Sequence, residues 1–475
     1  MNRIAACATY TPRSRLTREA AREAWPQLSM PGRARAVPSL DEDALTMAAH
    51  AALDALATAG ARGDELAGVF LATTSSPYVV KSGAAVVADY VDASPGAAVL
   101  DFGSGTHAGL AALLSALRDE ALAERGPILV VGADVVFGPA NDSSDLGFGA
   151  AAGAFLVSPD GFAALERFDY AYSSYSNVWQ PVSEAHLHRY DDDRFERTAG
   201  YAPQMAESLR AFVDGLERKP DWYALSLPPG GKLPGLGAPQ DRVVGIELVQ
   251  QVGDCGCANV LLSLALAFER ARPGETIAVQ SYGAGAGTVS ALLTMHELAP
   301  ARTLASNGSV ELSYLQYAKH RGLLPMVKLP SFGAPYAASP GWERTKDASV
   351  GLHAGRCTRC GSLNFPPRAY CLDCRGEEFE RVALPRNASV LTFNLQYVVG
   401  IGPEEAPLPI CTALVEGEEP GRYGGKVAAL VTDADPDDVS IGTPVELIPR
   451  RGDVEEGLVK YGWKFRPRIS EAVSS

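Results

Sequence analysis

The plainest chemical signature in the chain is a set of four cysteines. Cys357 and Cys360 form one C-x-x-C pair, and ten residues later Cys371 and Cys374 form a second. Each pair can place two thiolates on one tight turn, and two such turns close a tetrahedron around Zn²⁺. Four thiolates leave no open position on the metal, so this zinc is expected to be structural, holding together a segment too short to make its own core. A second stretch suited to chemistry is 101–110, DFGSGTHAGL. It reads as the end of an apolar strand, a bend of small residues and the start of a helix. Thr106 and His107 stand beside the unpaired N–H groups of that helix N-terminus, where an oxyanion or thiolate would be stabilised.

Positioning these groups takes two kinds of scaffold. Residues 1 to about 296 alternate strand-like and helix-like runs, the pattern of an α/β domain. Strands are expected at 4–9, 68–73, 128–132, 149–157, 222–227 and 277–282. A helix is expected from Asp41, with carboxylates in its first turn and Gly60 near its end. The polar, aromatic stretch 169–197 breaks the alternation and suits either a substrate wall or lid, or a solvated excursion. Past Pro300 a short helix is expected at 314–321. Residues 325–346, rich in proline, glycine and alanine, read as a linker or an extended arm. Five strand-like runs from Ser389 onward follow the cysteine pairs and suit a small barrel of the OB type.

Composition sets outer bounds. The chain has 475 residues, 47% hydrophobic and 21% charged, enough for two or three domains with sizeable cores. A net charge of -14 argues against a general nucleic-acid binder. Val398, Val399, Ile401, Pro403, Glu404 and Glu405 would also make a poor phosphate-binding surface on the barrel. Arg356, Arg359, Arg368, Arg375 and Arg381 cluster near the ribbon and read as solvent-facing charges or as contacts for the phosphates of a nucleotide such as coenzyme A. No apolar run reaches the roughly 20 residues that cross a bilayer, and no export signal is evident, so a cytoplasmic location without membrane association is expected. In that setting Cys7, Cys255, Cys257 and Cys411 read as reduced thiols, and the N-x-S sequons at Asn141, Asn307 and Asn387 carry little meaning.

The first 300 residues resemble the thiolase superfamily, most closely its HMG-CoA synthase and β-ketoacyl synthase III branch and the archaeal type of HMG-CoA synthase. The resemblance rests on DEDALTMA at 41–48, SPYVVK at 76–81, the 101–109 turn, GKLP at 231–234, Val252-Gly253, and SYGAGAG at 281–287. The last 170 residues resemble the zinc-ribbon and OB-fold family that accompanies acyl-CoA thiolases and archaeal HMG-CoA synthases. This implies a five-layer αβαβα domain over 1–298, a helical or extended linker arm over 299–350, a zinc ribbon over 351–384 and an OB-fold over 385–475. It also implies a coenzyme A or acyl-carrier thioester as substrate, and a homodimer or a complex with another thiolase-like subunit.

The resemblance further implies four working positions, all of them changed. The nucleophilic cysteine falls on Thr106, five residues after Asp101; the acid/base glutamate on Thr74; the histidine on Leu227, five before Lys232; and the asparagine on Asp254. A threonine hydroxyl is a far weaker nucleophile than a thiolate, and leucine can neither move a proton nor donate to an oxyanion. Three readings stay open. The chain makes or breaks a carbon–carbon bond of an acyl-CoA without covalent catalysis, with Asp254, His107, Tyr282 and the tyrosines 172, 175 and 201 as candidate acids, bases and donors. Or it transfers acyl groups through Cys255, a thiol close to a helix N-terminus. Or it is a degenerate thiolase subunit that organises a complex with an active partner.

Overall fold

The computed structural model describes residues 2–468, apart from 140, 141, 143, 144, 183, 185, 190, 191, 229–234, 301–308, 325–338, 398–407 and 456. The chain divides into two compact units, Met1–Pro38 with Asp43–Leu324, and Ser39–Glu42 with Pro325–Ser475. The 231–234 motif, the barrel residues 398–405 and the sequons at Asn141 and Asn307 lie outside the described residues.

Ten strands of the first unit form one sheet: β1 (Arg3–Tyr10), β2 (Gly68–Ala72), β3 (Ala98–Phe102), β4 (Ile128–Val135), β5 (Ala150–Ser158), β6 (Ala163–Ala171), β7 (Trp222–Leu225), β8 (Val243–Val244), β9 (Thr276–Gly283) and β10 (Gly287–Met295). Their order is β8-β7-β9-β10-β6-β1-β5-β4-β2-β3. The two halves repeat. In β3-β2-β4-β5-β1 the first two pairings are parallel and the next two antiparallel, and β8-β7-β9-β10-β6 has the same sequence of pairings. The halves join through a short β1–β6 ladder at Arg3 and Ile4.

Helices complete the layers. α1 (Ala44–Ala59) and α2 (Gly83–Tyr90) lie on the outer side of the first half, and α4 (Tyr201–Asp214) packs on β9 and β10 of the second. Between the halves run α3 (Ala108–Arg118) and α5 (Cys257–Arg270), which touch each other and strands of both halves. This is an αβαβα stack, as the resemblance implies. α5 is apolar almost all round because neighbours cover it on every side, and its residues from Cys257 to Ala265 are all buried. β2 and, up to Asp134, β4 are likewise apolar runs, as strands buried on both faces require.

Some local expectations need correction. α1 begins at Ala44, capped by Asp43, whose carboxylate accepts from Thr46 N while the Thr46 hydroxyl accepts from Asp43 N. Asp41 and Glu42 are therefore not in its first turn. They belong to the second unit, where Asp41 accepts from Lys464 Nζ at 2.9 Å and Glu42 lies 3.2 Å from Arg450. β6 did not stand out in the sequence because polar residues interrupt its apolar ones and most of its residues past Leu165 are exposed. Of the stretch read as an arm, Ser339–Ser349 is helical.

In the second unit the strand His353–Cys357 pairs with Leu363–Asn364 on one side and Phe379–Ala383 on the other. The five expected C-terminal strands form one antiparallel sheet over Asn387–Gln396, Leu408–Val415, Lys426–Leu430, Pro444–Glu455 and Leu458–Pro467. The sheet curls far enough for a bridge between Val431 and Phe465 to join its two edges. Val390, Ala413, Val427, Leu447 and Phe465 fill the interior.

Candidate functional site

The corner after β3 is built as its sequence suggests. Gly103–Gly105 make the bend, with Ser104 in the left-handed region at φ 68°, and α3 starts just beyond His107. Asp101 serves the scaffold: its carboxylate accepts from Gly83 N and Ala84 N at the start of α2. The matching corner after β8 passes through the helix Ile246–Val252, Gly253 and Gly256, both with positive φ, and enters α5 at Cys257. The two corners abut. A Cβ on Gly109 would meet Cys257 O at 2.2 Å, so only glycine lets the two helix starts come this close.

The corners open on a cavity of about 1730 Å³. Thr74, Thr106, Leu227 and Asp254 all line it, although they come from four separate stretches of chain. Tyr282 and Tyr201 line it too, with their rings 5.4 Å apart. The stretch 169–197 supplies a wall: Ser176, Asn177, Trp179, Arg189 and Glu196 face the cavity, and Trp179 stacks on His188 across a two-residue hairpin ladder.

Asp254 Oδ1 accepts from Gly256 N at 3.0 Å and from Asn259 Nδ2 at 3.1 Å. Burial pushes its acid up to about 6; the Gly256 N–H bond opposes this, and the nearby Asp134 carboxylate adds a smaller upward push. A carboxyl poised there can hold or release a proton near neutral pH. Thr106 is committed elsewhere: its hydroxyl donates to Tyr282 O at 2.7 Å. Tyr282 donates its own hydroxyl to Tyr175 O at 2.8 Å. Tyr175 in turn donates to the Glu196 carboxylate, and Tyr172 is exposed.

Two sequence candidates are not brought to the cavity. The Cys255 thiol is buried with Ala36, Ala151, Leu248 and Leu262 and donates weakly to Gly253 O at 3.4 Å. Burial raises its pKa, the opposite of what a nucleophile needs, and the residue precedes the helix start. His107 turns its ring against glycines: a Cβ on Gly283 would lie 1.9 Å from its Nδ1. Burial lowers its pKa and keeps the ring neutral. It is not among the described residues that line the cavity.

Asp134, at the end of β4, was missed in the sequence. Its buried carboxylate accepts from Thr73 Oγ1 (2.9 Å), Thr74 N (2.7 Å), Thr74 Oγ1 (3.0 Å), Ser75 N (3.0 Å), Ser75 Oγ (2.8 Å) and Cys257 N (2.8 Å). It fixes the loop after β2 to the first residue of α5. The available signal was a lone acid inside the apolar run ILVVGADVV.

In the second unit the four expected ligands converge. The Sγ atoms of Cys357, Cys360, Cys371 and Cys374 all lie within 4.8 Å of one another, with Cys357–Cys374 and Cys360–Cys371 each at 3.6 Å. These separations exceed any disulfide and match the edges of a tetrahedron, about 3.8 Å for Zn–S bonds of about 2.3 Å. Asn364 Nδ2 donates to Cys371 Sγ at 3.7 Å, a bond that favours the thiolate. Among the ribbon arginines, Arg356 pairs with Glu418 and Arg381 with Asp347.

Residues 352–380 match the family of ChsH2 rubredoxin-like zinc ribbon domains. The hydroxymethylglutaryl-CoA synthase of Thermococcus kodakarensis is 28% identical over 330 residues, 66% of this chain and 94% of that one. Its counterpart in Methanosarcina mazei is 26% identical over 312 residues, 62% of this chain and 88% of the other. Among solved structures, an HMG-CoA synthase complexed with CoA superposes with a TM-score of 0.58 at 20% identity, covering 67% of this chain and 89% of that one. The 3-oxoacyl-(acyl carrier protein) synthase III of Pseudomonas aeruginosa gives 0.53 at 22% identity, covering 62% and 98%. The chain thus joins a region of thiolase-like fold, similar in sequence to hydroxymethylglutaryl-CoA synthases, to a segment that matches the ChsH2 zinc ribbon.

Proposed function

We propose that the first unit binds an acyl-CoA or acyl-carrier thioester and makes or breaks a carbon–carbon bond in it without a covalent acyl-enzyme. The observation that carries this is the cavity itself. The four positions implied by resemblance meet in it, and the carboxyl among them, Asp254, titrates near neutrality. Asp254 takes or returns the proton of the reacting carbon or hydroxyl, and neighbouring hydroxyls polarise the thioester carbonyl. The relatives' names, HMG-CoA synthase and 3-oxoacyl-carrier-protein synthase, support an acyl thioester as the substrate class. The second unit carries a structural zinc on its four cysteines, and its curled sheet is of the OB type. One zinc per chain by elemental analysis is the expected content.

One observation favours the scaffold reading. The hydroxyls at both nucleophile and acid/base positions are tied to protein acceptors, Thr106 to Tyr282 O and Thr74 to Asp134. On the unpaired edge strand β3, Val99 and Leu100 are 37% and 45% exposed, which supports pairing with a second thiolase-fold chain. Assaying the purified protein with a panel of acyl-CoAs and β-hydroxyacyl-CoAs separates the two readings. Turnover by the chain alone is expected; turnover only after a second thiolase-like chain is added would leave the scaffold.

A further inference from the structure

Among the described residues that line the cavity, Tyr201 carries a donor that the protein does not use. Tyr201, the first residue of α4, lines the cavity, and its hydroxyl oxygen is buried without a hydrogen-bond partner. Its neighbours are engaged: Tyr282 donates to Tyr175 O, and Tyr175 to Glu196. Contacts hold the residue in place. It packs on Tyr282, and its backbone N–H is held by Glu196 Oε2 at 3.3 Å. Leaving a buried hydroxyl unbonded costs about 1–3 kcal/mol, so such a group persists where a ligand supplies the missing acceptor. Burial, together with the charges of Asp254 and Glu196, raises the phenol's pKa and keeps it a donor. Asn177, which also lines the cavity, likewise has a buried polar atom without a partner, its Oδ1.

Leu227 lines the same cavity at the position where the resemblance implies a histidine, and its side chain has no donor to give. We infer that Tyr201 takes over that duty, its hydroxyl donating to the thioester carbonyl oxygen of the bound acyl-CoA. The inference rests on the acyl-thioester reading above. In chemical terms the phenol polarises the carbonyl while Asp254 handles the proton.

Tyr201→Phe in the full chain tests this by calorimetry with butyryl-CoA and with free CoA, which lacks the carbonyl. Butyryl-CoA is expected to bind the variant about tenfold more weakly, roughly the worth of one hydrogen bond, with CoA affinity unchanged. The melting temperature of the ligand-free variant should be equal to or above that of the wild type, because no intramolecular bond is lost. A clear fall in that temperature, an unchanged butyryl-CoA affinity, or an equal loss for both ligands would each overturn the assignment while leaving the acyl-thioester reading standing. Wild-type protein that binds neither ligand would overturn both.

Discussion

The two strand-turn-helix corners of the first unit occupy equivalent places in its two halves, one leading into α3 and the other into α5, yet the protein treats them differently. Each is secured by the opposite half. Thr106, at the first corner, donates to the carbonyl of Tyr282 at the end of β9, while Cys257 N, at the second, donates to Asp134 at the end of β4. The first corner spends its hydroxyl on this bond. At the second, a main-chain N–H makes the bond, and Asp254 keeps a carboxyl facing the cavity. Repetition of the backbone therefore brings two equivalent corners to the cavity, and a few side chains make them chemically different.

If the second corner is the working one, the largest effect should come from Asp254→Asn. Turnover on any acyl-CoA that the wild type converts is expected to fall by about 10²–10⁴-fold, the usual worth of a general acid or base. Wild-type rates should rise with pH through about 6 as Asp254 ionises. Stability moves the other way. The folded-state pKa lies above the unfolded value, so the stabilising contribution is present below about pH 4 and lost as pH rises through about 6. Asp254→Asn should then be more stable than wild type at pH 8 by about 1–3 kcal/mol, and no more stable at pH 4, in thermal melts.

Breaking the crossed support comes next. Asp134→Ala leaves donors from Thr73, Thr74, Ser75 and Cys257 without their acceptor and should cost about 3 kcal/mol or more in denaturant unfolding. Thr106→Val removes one bond and should cost only about 1 kcal/mol, with turnover kept within a few-fold. A loss as large as that of Asp254→Asn would restore the first corner as a reacting site. The smallest effect on turnover belongs to Cys255→Ser. Turnover should stay at the wild-type level because the thiol faces an apolar cluster, and only the burial of a hydroxyl, about 1–2 kcal/mol, should register in a melt.

Much of this organisation was legible in the sequence, for reasons that are local. Two C-x-x-C pairs specify a four-thiolate site because a tight turn fixes the spacing within each pair, and the sulfurs do converge. Apolar runs at β2 and β4 mark strands covered on both faces, and small residues at 103–105 and the glycines 253 and 256 mark bends that larger side chains would block. What stayed hidden depends on partners remote in the chain. Asp134 looked like an isolated acid in a strand until folding brought Thr73–Ser75 and Cys257 to it, 59 to 123 residues away. His107 and Cys255 carried the right chemistry for a site, but the packing of Gly283 against one ring and of Leu248 and Leu262 around the other's thiol removed both from the cavity. The sequence by itself determined the metal site, the corners and the alternation of layers, since these follow from spacing and periodicity over short stretches. Only the tertiary structure decided which polar atoms are satisfied by the protein and which, like the hydroxyl of Tyr201, are left for a ligand, because hydrogen-bond partners come from wherever the fold delivers them.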